Sequence, residues 1–312
     1  MTTGGVVLGV DVGGTGIKAR VTDASGRSLG DHRVPTPKDD PHAHRLAEVV
    51  ADLVVGALRT PAPGPDHTLD AVGLVVPGVV HEASGTAVLS VNLGWRGVPV
   101  RDRVQQALEH RGITVPVAFG HDVRAGALAE VSGPGAAALR VGSVGFVPVG
   151  TGLASALVVD GAVVDGGGWA GEVGQVRITV GPHAGARTEE IASAGAVARR
   201  LGVPSARQAV ERVRAGDPAA VAVWHECIDV LADAIAWMTA VAGCHTVVVG
   251  GGLAESGALL FGPLGSAVAD RLPGLRAPAL VPARHRDAAG SLGAAILAQD
   301  LLASLTSTGQ RA

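Results

Sequence analysis

Tyrosine is absent from this chain of 312 residues, which holds only three phenylalanines, four tryptophans, two methionines and two cysteines. Low lysine accompanies the missing tyrosine, against abundant Ala, Gly, Val and Arg. That bias fits a GC-rich coding sequence and says nothing of function. Two cysteines, Cys227 and Cys244, both inside apolar segments, cannot build a disulfide framework, so a reducing cytoplasm is the expected compartment. There is no excess of either charge. The net charge of -3 leaves no electrostatic footprint for nucleic acid or for an anionic membrane surface. A basic stretch followed by an apolar signal segment is also missing from the N-terminus. The most apolar long segment, Ala219–Ala242, carries His225, Glu226, Asp229 and Asp233 and reads as a buried helix, not a membrane span.

What is present describes a globular α/β chain: 47% hydrophobic, 17% charged, and long enough for two domains with substantial cores. Val6–Val12 is apolar except for Asp11, and closely spaced glycines separate it from Ile17–Thr22, which predicts strand, tight turn, strand. His44–Arg59 places Leu46, Val49, Val50, Leu53, Val54 and Leu58 at helical spacing. A Pro/Gly loop is expected over Arg59–Thr68, then a strand over Asp70–Val76 broken at Pro77-Gly78. Further on, a helix is expected over Arg101–Arg111, a strand over Val115–Phe119 and a helix from Asp122. The second half reads as a strand over Val144–Val149 and a returning strand over Leu153–Val159. A Gly-rich loop follows at Gly166–Gly168, with helices over Glu190–Leu201 and to Ala242. A buried strand is expected over Thr246–Val249, a helix after Gly252, a strand near Ala279–Val281 and a last helix over Gly290–Leu302.

Setting Leu8–Val21 on Val144–Leu157 matches Gly14-Thr15-Gly16 to Gly150-Thr151-Gly152 and Gly9 to Gly145. Two equivalent hairpins opening two halves predict a duplicated α/β unit. The expected division is 1–118 for a smaller first domain and 119–303 for a larger second one, with the last helix free to pack back. Residues 304–312 are expected to form a flexible polar tail.

Phosphates need backbone N–H donors at close range, and glycine lets the main chain approach. The first turn offers Gly13, Gly14 and Thr15 with Asp11 before it and Lys18 after it. The carboxylate could serve Mg²⁺ through water and the lysine could balance phosphate charge. Neither turn fits a Gly-Lys-Ser/Thr P-loop, and neither opens into a long helix as a dinucleotide site would.

The segment Asp11–Lys18, DVGGTGIK, resembles the first phosphate motif of the ROK family of sugar kinases and repressors. The resemblance continues in order through almost the whole chain. Pro77-Gly78 and Asn92-Leu93-Gly94-Trp95 resemble its sugar-facing segment, Asp122 its catalytic aspartate, and Gly150-Thr151-Gly152 its second phosphate motif. Ala170-Gly171-Glu172-Val173-Gly174 looks like its signature. Glu189, four residues before Ser193, stands as its second sugar glutamate, and Gly250-Gly251-Gly252 resembles its nucleoside-side glycines.

That resemblance implies a duplicated ribonuclease-H-like (actin-like ATPase) fold of two domains with a cleft. It implies ATP and Mg²⁺ as cofactors, a sugar as substrate, no nucleic acid, no membrane and a homodimer. Asp122 would be the general base; Gly78, Asn92, His121, Glu172, Gln175 and Glu189 would face the sugar. Two departures stand out. Gln175 occupies the place of a family histidine that contacts sugar and ligates structural zinc, and Val180–Arg187 lacks the zinc cysteines, so no zinc is expected. His121 stands where the family commonly has a sugar-contacting asparagine. Glucose and a glucose-like amino sugar such as kanosamine (3-amino-3-deoxyglucose) are therefore both expected substrates, with N-acetylhexosamines next. The competing readings are a sugar-sensing regulator without a DNA-binding domain and a polymerising actin-like ATPase; neither accounts for the full set of Asp122, Asn92, Glu172 and Glu189.

Overall fold

The computed structural model describes residues 5–59 and 69–309, so the expected Pro/Gly loop lies outside the described residues from position 60 onward. The chain forms two compact units. One comprises Met1–Ala129, Asp165–Trp169 and Ala288–Ala312; the other comprises Glu130–Val164 and Ala170–Asp287.

In the first unit, β1 (Val6–Val12), β2 (Gly16–Thr22) and β3 (Ser28–Pro35) form an antiparallel meander. After α1 (His44–Leu58) comes β4 (Leu69–Val76), parallel to β1. A small antiparallel sheet follows, made of β5 (Val79–His81), β6 (Thr86–Ser90) and β7 (Trp95–Val98). Then α2 (Val100–Glu109) leads to β8 (Val117–His121), parallel to β4, and to α3 (Asp122–Val131). The main sheet has the order β3-β2-β1-β4-β8. The first unit runs past position 118 because β8 pairs with β4 and stays with that sheet.

The second unit holds β9 (Ser143–Pro148), β10 (Ala156–Val159) and β11 (Ala162–Val163). Helices α4 (Thr188–Ile191), α5 (Ala194–Arg200), α6 (Ala206–Arg214) and α7 (Pro218–Ala242) follow. Then come β12 (Thr246–Gly250), α8 (Gly251–Ala254), α9 (Ala258–Asp270) and β13 (Ala279–Pro282). Its sheet order is β11-β10-β9-β12-β13, with β9, β12 and β13 parallel and β10 and β11 antiparallel. Order and strand sense repeat the first sheet element for element. The duplication expected from the two hairpins is therefore carried through both sheets.

Chain termini of these elements follow ordinary rules. Asp217 caps α7 by accepting the Ala219 and Ala220 N–H groups, Pro218 opens the helix, and Gly243 closes it in the left-handed region. The single helix expected over Glu190–Leu201 is two, because Ser193 leaves the helical region and caps α5 by accepting the Ala196 N–H. The small sheet and α6 were not anticipated.

The last helix, α10 (Ala289–Gly309), returns to the first unit. It continues beyond the expected end at Leu302 to Gly309, and Ser304, Thr306 and Ser307 along this last stretch donate their hydroxyls to carbonyls three or four residues back. By length and composition its span Arg286–Ser307 would suffice to cross a membrane. Here it lies on the sheet, and small side chains make that possible. Leu8, Val10 and Val12 of β1 face the core of α1 and α2, whereas Val7 packs with Ala71, Ala295 and Ala298 on the other face. Gly9 and its register partner Gly73 lie between these apolar positions. A Cβ on Gly9 would stand 2.1 Å from Ser291 O, and one on Gly73 would stand 1.8 Å from Ala294 O. The helix thus rests backbone to backbone on β1 and β4.

Gly73→Ala is expected to destabilise by about 3 kcal/mol or more, since backbone and not a side chain must move. The expected drop in Tm is at least about 5 °C. Gly56→Ala, in a helix interior with no atom within 4 Å of the new Cβ, should instead raise stability by about 0.5–1 kcal/mol. Thermal melts of both variants decide this; equal behaviour would contradict the close approach.

Candidate active site

In the first unit, β1, β4 and β8 are parallel, and the sequence-predicted residues cluster past their carboxyl ends. This edge is where α/β sheets expose loops and helix N-termini to a ligand. Asp11 and Lys18 are register partners across the β1–β2 hairpin, with Lys18 Nζ 3.8 Å from Asp11 Oδ2. The Asp11 carboxylate abuts the first turn of α10: a Cβ on Gly290 would stand 2.5 Å from Oδ2. A helix N-terminus is the favourable end for a carboxylate or phosphate.

Between them the turn is closed by Gly13 N–H donating to Gly16 O at 2.9 Å. Thr36 clasps it from β3's far end, donating its hydroxyl to Gly13 O (2.6 Å) and its N–H to Thr15 O (3.2 Å). A turn pinned through its carbonyls can offer its N–H groups to an anion. Gly14 and Thr15 are exposed at its tip. Asn92 lies next to it, its Cβ 3.6 Å from where a Cβ on Gly14 would be.

Asn92 sits in a short 3₁₀ turn, Val91–Leu93, whose position is fixed from both sides. Gly78, with φ 98°, packs on β6 so closely that a Cβ would stand 2.3 Å from Leu89 O. On the other side, Trp95 is buried and its indole N–H donates to Asp40 O at 2.8 Å.

Asp122 begins α3 directly after β8. Its Oδ1 accepts the Val123 N–H at 2.7 Å and lies 3.4 Å from His121 Nε2. His121 is 2% exposed, and its Nδ1 accepts the Arg124 N–H at 3.3 Å. With Nδ1 accepting, the neutral ring carries its proton on Nε2, toward Asp122. His121, expected to face a sugar, is buried and pointed at the aspartate. Arg124 is buried behind them, donating to Glu82 Oε1 (3.0 and 3.1 Å) and to Gly168 O (3.4 Å).

The second unit brings the remaining predicted residues into a single group of loops. Gly150 N–H donates to Gly152 O at 3.1 Å, so this turn is one residue tighter than its counterpart. Val149 N–H donates to Gly250 O, and the Val149 carbonyl accepts the Leu253 N–H, which sets Gly250-Gly251-Gly252 beside the turn. Gly251, at φ 76°, has Val149 O 2.4 Å from a would-be Cβ. The first residues of α5, Ala194 and Gly195, donate their N–H groups to Gly150 O. A Cβ on Gly195 would stand 2.4 Å from Thr151 O.

The Ala170–Gly174 segment is threaded against the start of β10. A Cβ on Gly171 would stand 2.0 Å from Ser155 O, and one on Gly174 would stand 2.0 Å from Leu153 O. Glu172 is half-buried between these two contacts. Glu189, in the first turn of α4, has Oε2 2.9 Å from the position of a Gly152 Cβ. Its Oε1 accepts the Gln175 amide N–H at 3.1 Å and lies 3.0 Å from Arg187 Nη1. Arg187 was not among the expected site residues. The signal available was its basic side chain two positions before Glu189, in the stretch that lacks cysteines.

His183 Nε2 lies 3.2 Å from Glu226 Oε2 without the alignment of a hydrogen bond. The Arg200 guanidinium, and to a lesser degree His183, holds the Glu226 carboxyl below the usual range. Among the described residues no three His, Cys, Asp or Glu side chains are grouped as a metal site.

Comparison with known proteins agrees with this arrangement. The model of the ROK family matches residues 7–301. A glucokinase of Halalkalibacterium halodurans is 28% identical over 291 residues, covering 82% of this chain and 83% of that protein. An N-acetylmannosamine kinase of Escherichia fergusonii is 32% identical over 306 residues, covering 94% of this chain and 98% of that protein. Among solved structures, a ROK glucokinase of Streptomyces griseus in complex with glucose and AMPPNP superposes with a TM-score of 0.78. It is 26% identical and covers 95% of this chain and 100% of that chain. With the repeated sheets, both glycine turns and the Glu172 segment in place, this chain belongs to the ROK family.

Proposed function

We propose that this sugar phosphotransferase moves the γ-phosphoryl group of ATP to the 6-hydroxyl of glucose or of a glucose-like amino sugar such as kanosamine. The observation that carries the reading is the carboxylate of Asp122 at the carboxyl end of β8, on the same sheet edge as the Asp11–Lys18 turn and Asn92. The complex of a 26% identical relative with glucose and AMPPNP supports the pairing of sugar and nucleotide.

In this mechanism the backbone N–H groups of Gly14 and Thr15, and those of Thr151 and Gly152, hold phosphate oxygens, while the N–H groups of Gly13 and Gly150 close the two turns. Gly250, Gly251 and Gly252 bear on the nucleoside side. Mg²⁺ arriving with ATP supplies neutralisation of phosphate charge, and Asp11 is the residue suited to meet it through water. Asn92 and the Gly78 backbone, with Glu172 and Glu189, bond the ring hydroxyls. Asp122 accepts the proton of the attacking hydroxyl as its oxygen bonds to the γ-phosphorus and the bond from that phosphorus to the bridging oxygen of ADP breaks, so that ADP leaves. Its Oδ1 is engaged by the Val123 N–H and faces the His121 ring, which leaves Oδ2 as the basic oxygen. Positioning and electrostatics carry most of such a reaction.

The burial of both thiols supports a reducing, cytoplasmic setting: burial pushes Cys227 up to about 12 and raises Cys244. We extend the proposal to a homodimer. The N-acetylmannosamine kinase relative favours one second reading, phosphorylation of an N-acetylhexosamine.

Asp122→Asn keeps the Oδ1 contacts and removes the base, so kcat should fall by roughly 10²–10⁴-fold with little change in sugar KM. Steady-state kinetics across glucose, mannose, glucosamine, kanosamine, N-acetylglucosamine and N-acetylmannosamine, with ATP against polyphosphate, tests this. An unchanged kcat would remove Asp122 from the role.

Purified chain should carry no more than about a tenth of an equivalent of zinc. Activity should return fully when Mg²⁺ is restored after EDTA. Stoichiometric zinc whose loss abolishes activity would contradict the zinc-free reading.

A further inference from the structure

Gln175, Arg187 and Glu189 form a closed ring of three contacts. Arg187 Nη1 donates to Gln175 Oε1 at 2.9 Å and stands 3.0 Å from Glu189 Oε1, while Gln175 Nε2 donates to that same Glu189 oxygen at 3.1 Å. Only one orientation of the Gln175 amide permits this. Reversed, its carbonyl would face the carboxylate and its NH₂ the guanidinium, and both contacts would be repulsive.

Arg187 is itself tied down. Its backbone N–H donates to Glu190 Oε2 at 2.7 Å, its Nη2 donates to Glu190 Oε1 at 3.3 Å, and its main chain bridges to Arg177. The guanidinium therefore uses both prongs of its fork, one on Glu190 and one on the Gln175–Glu189 pair. A lysine ammonium is a point charge and cannot span both. Each contact on Glu189 falls on Oε1. The other oxygen, Oε2, stands beside the Gly152 backbone, 2.9 Å from where a Cβ would be.

The geometry points to Arg187 as a positioning residue for the sugar, acting through Glu189 with Gln175 as the second clamp. Two donors on one oxygen fix the rotamer of Glu189 and orient its other oxygen as the acceptor for one sugar hydroxyl. This assigns Gln175 to holding the carboxylate, in place of direct sugar contact. The inference rests on the reading of Glu189 as a sugar-bonding carboxylate in a hexose kinase.

Stability is not where the clamp should register. Arg187 and Glu189 side chains are 35% and 21% exposed, and ion pairs that solvated add little to folding. Specificity is where it should register, because a site built to bond a hydroxyl rejects the analogue that lacks it.

The test uses wild type, Arg187→Met, Arg187→Lys, Gln175→Leu and the Met/Leu double variant. Sugar binding without turnover, sugar KM, ATP KM, kcat and Tm are measured for each. Wild type should reject at least one monodeoxy analogue of its sugar strongly. Arg187→Met should raise sugar KM about 10–100-fold and flatten the rejection of that one analogue. ATP KM and Tm should stay near wild type, and Arg187→Lys should recover only part of the loss. The double variant should be no worse than about the poorer single one, since both act through one carboxylate.

Unchanged sugar KM and unchanged analogue rejection in Arg187→Met, with active wild type, would overturn the inference. So would a large fall in Tm with sugar KM preserved, which marks a structural role. Absence of hexose binding and turnover in wild type would instead overturn the reading of the enzyme on which it rests.

Discussion

The first unit depends on a helix laid backbone to backbone on a sheet. Ser291 and Ala294 carbonyls occupy the space that side chains at Gly9 and Gly73 would fill. The same approach sets two distant parts of the site at once. One residue before Ser291 along α10, Gly290 meets the Asp11 carboxylate. At Gly293 the helix meets the backbone of Ala125, where a Cβ would stand 1.9 Å from the carbonyl, and Ala125 lies in the helix that begins at Asp122. Closely packed interiors transmit such constraints because they have little room to yield. The carboxylate at the phosphate turn and the carboxylate proposed as base are thus referred to one rigid helix.

The second unit repeats the sheet but varies the contacts. Gly145, the counterpart of Gly9, receives the flexible end of Met238 from α7, with Cε 2.4 Å from a would-be Cβ. The first glycine turn is clasped by Thr36, the residue that follows β3. The second is clasped by the N–H groups that open α5, and it is shorter by a residue. Duplication preserved topology, while the clasps diverged with the elements each unit had at hand.

Much of this was legible in the sequence where order is local. The β1–β2 hairpin follows from alternating apolar residues around glycines, and its register puts Asp11 opposite Lys18 as their spacing from the turn requires. Helix α1 follows from its three-and-four spacing. The small sheet did not follow, since β5 has three residues and β6 mixes buried with half-exposed positions, too short for a period to register. The break between α4 and α5 turns on one hydroxyl, Ser193. Arg187 escaped notice because its partner Gln175 is twelve positions away and polar pairing at that range leaves no periodic trace. Likewise the burial of His121 is a consequence of β8 pairing with β4 at the edge of the sheet, which composition does not reveal.

The most direct measurement is ³¹P NMR of the purified chain with ATP, Mg²⁺ and glucose or an amino-sugar analogue. The account predicts ADP together with one new phosphate monoester whose phosphorus couples to the two protons on C6. ATP consumption no faster with any hexose than without, or a phosphate placed on the anomeric carbon, would contradict it.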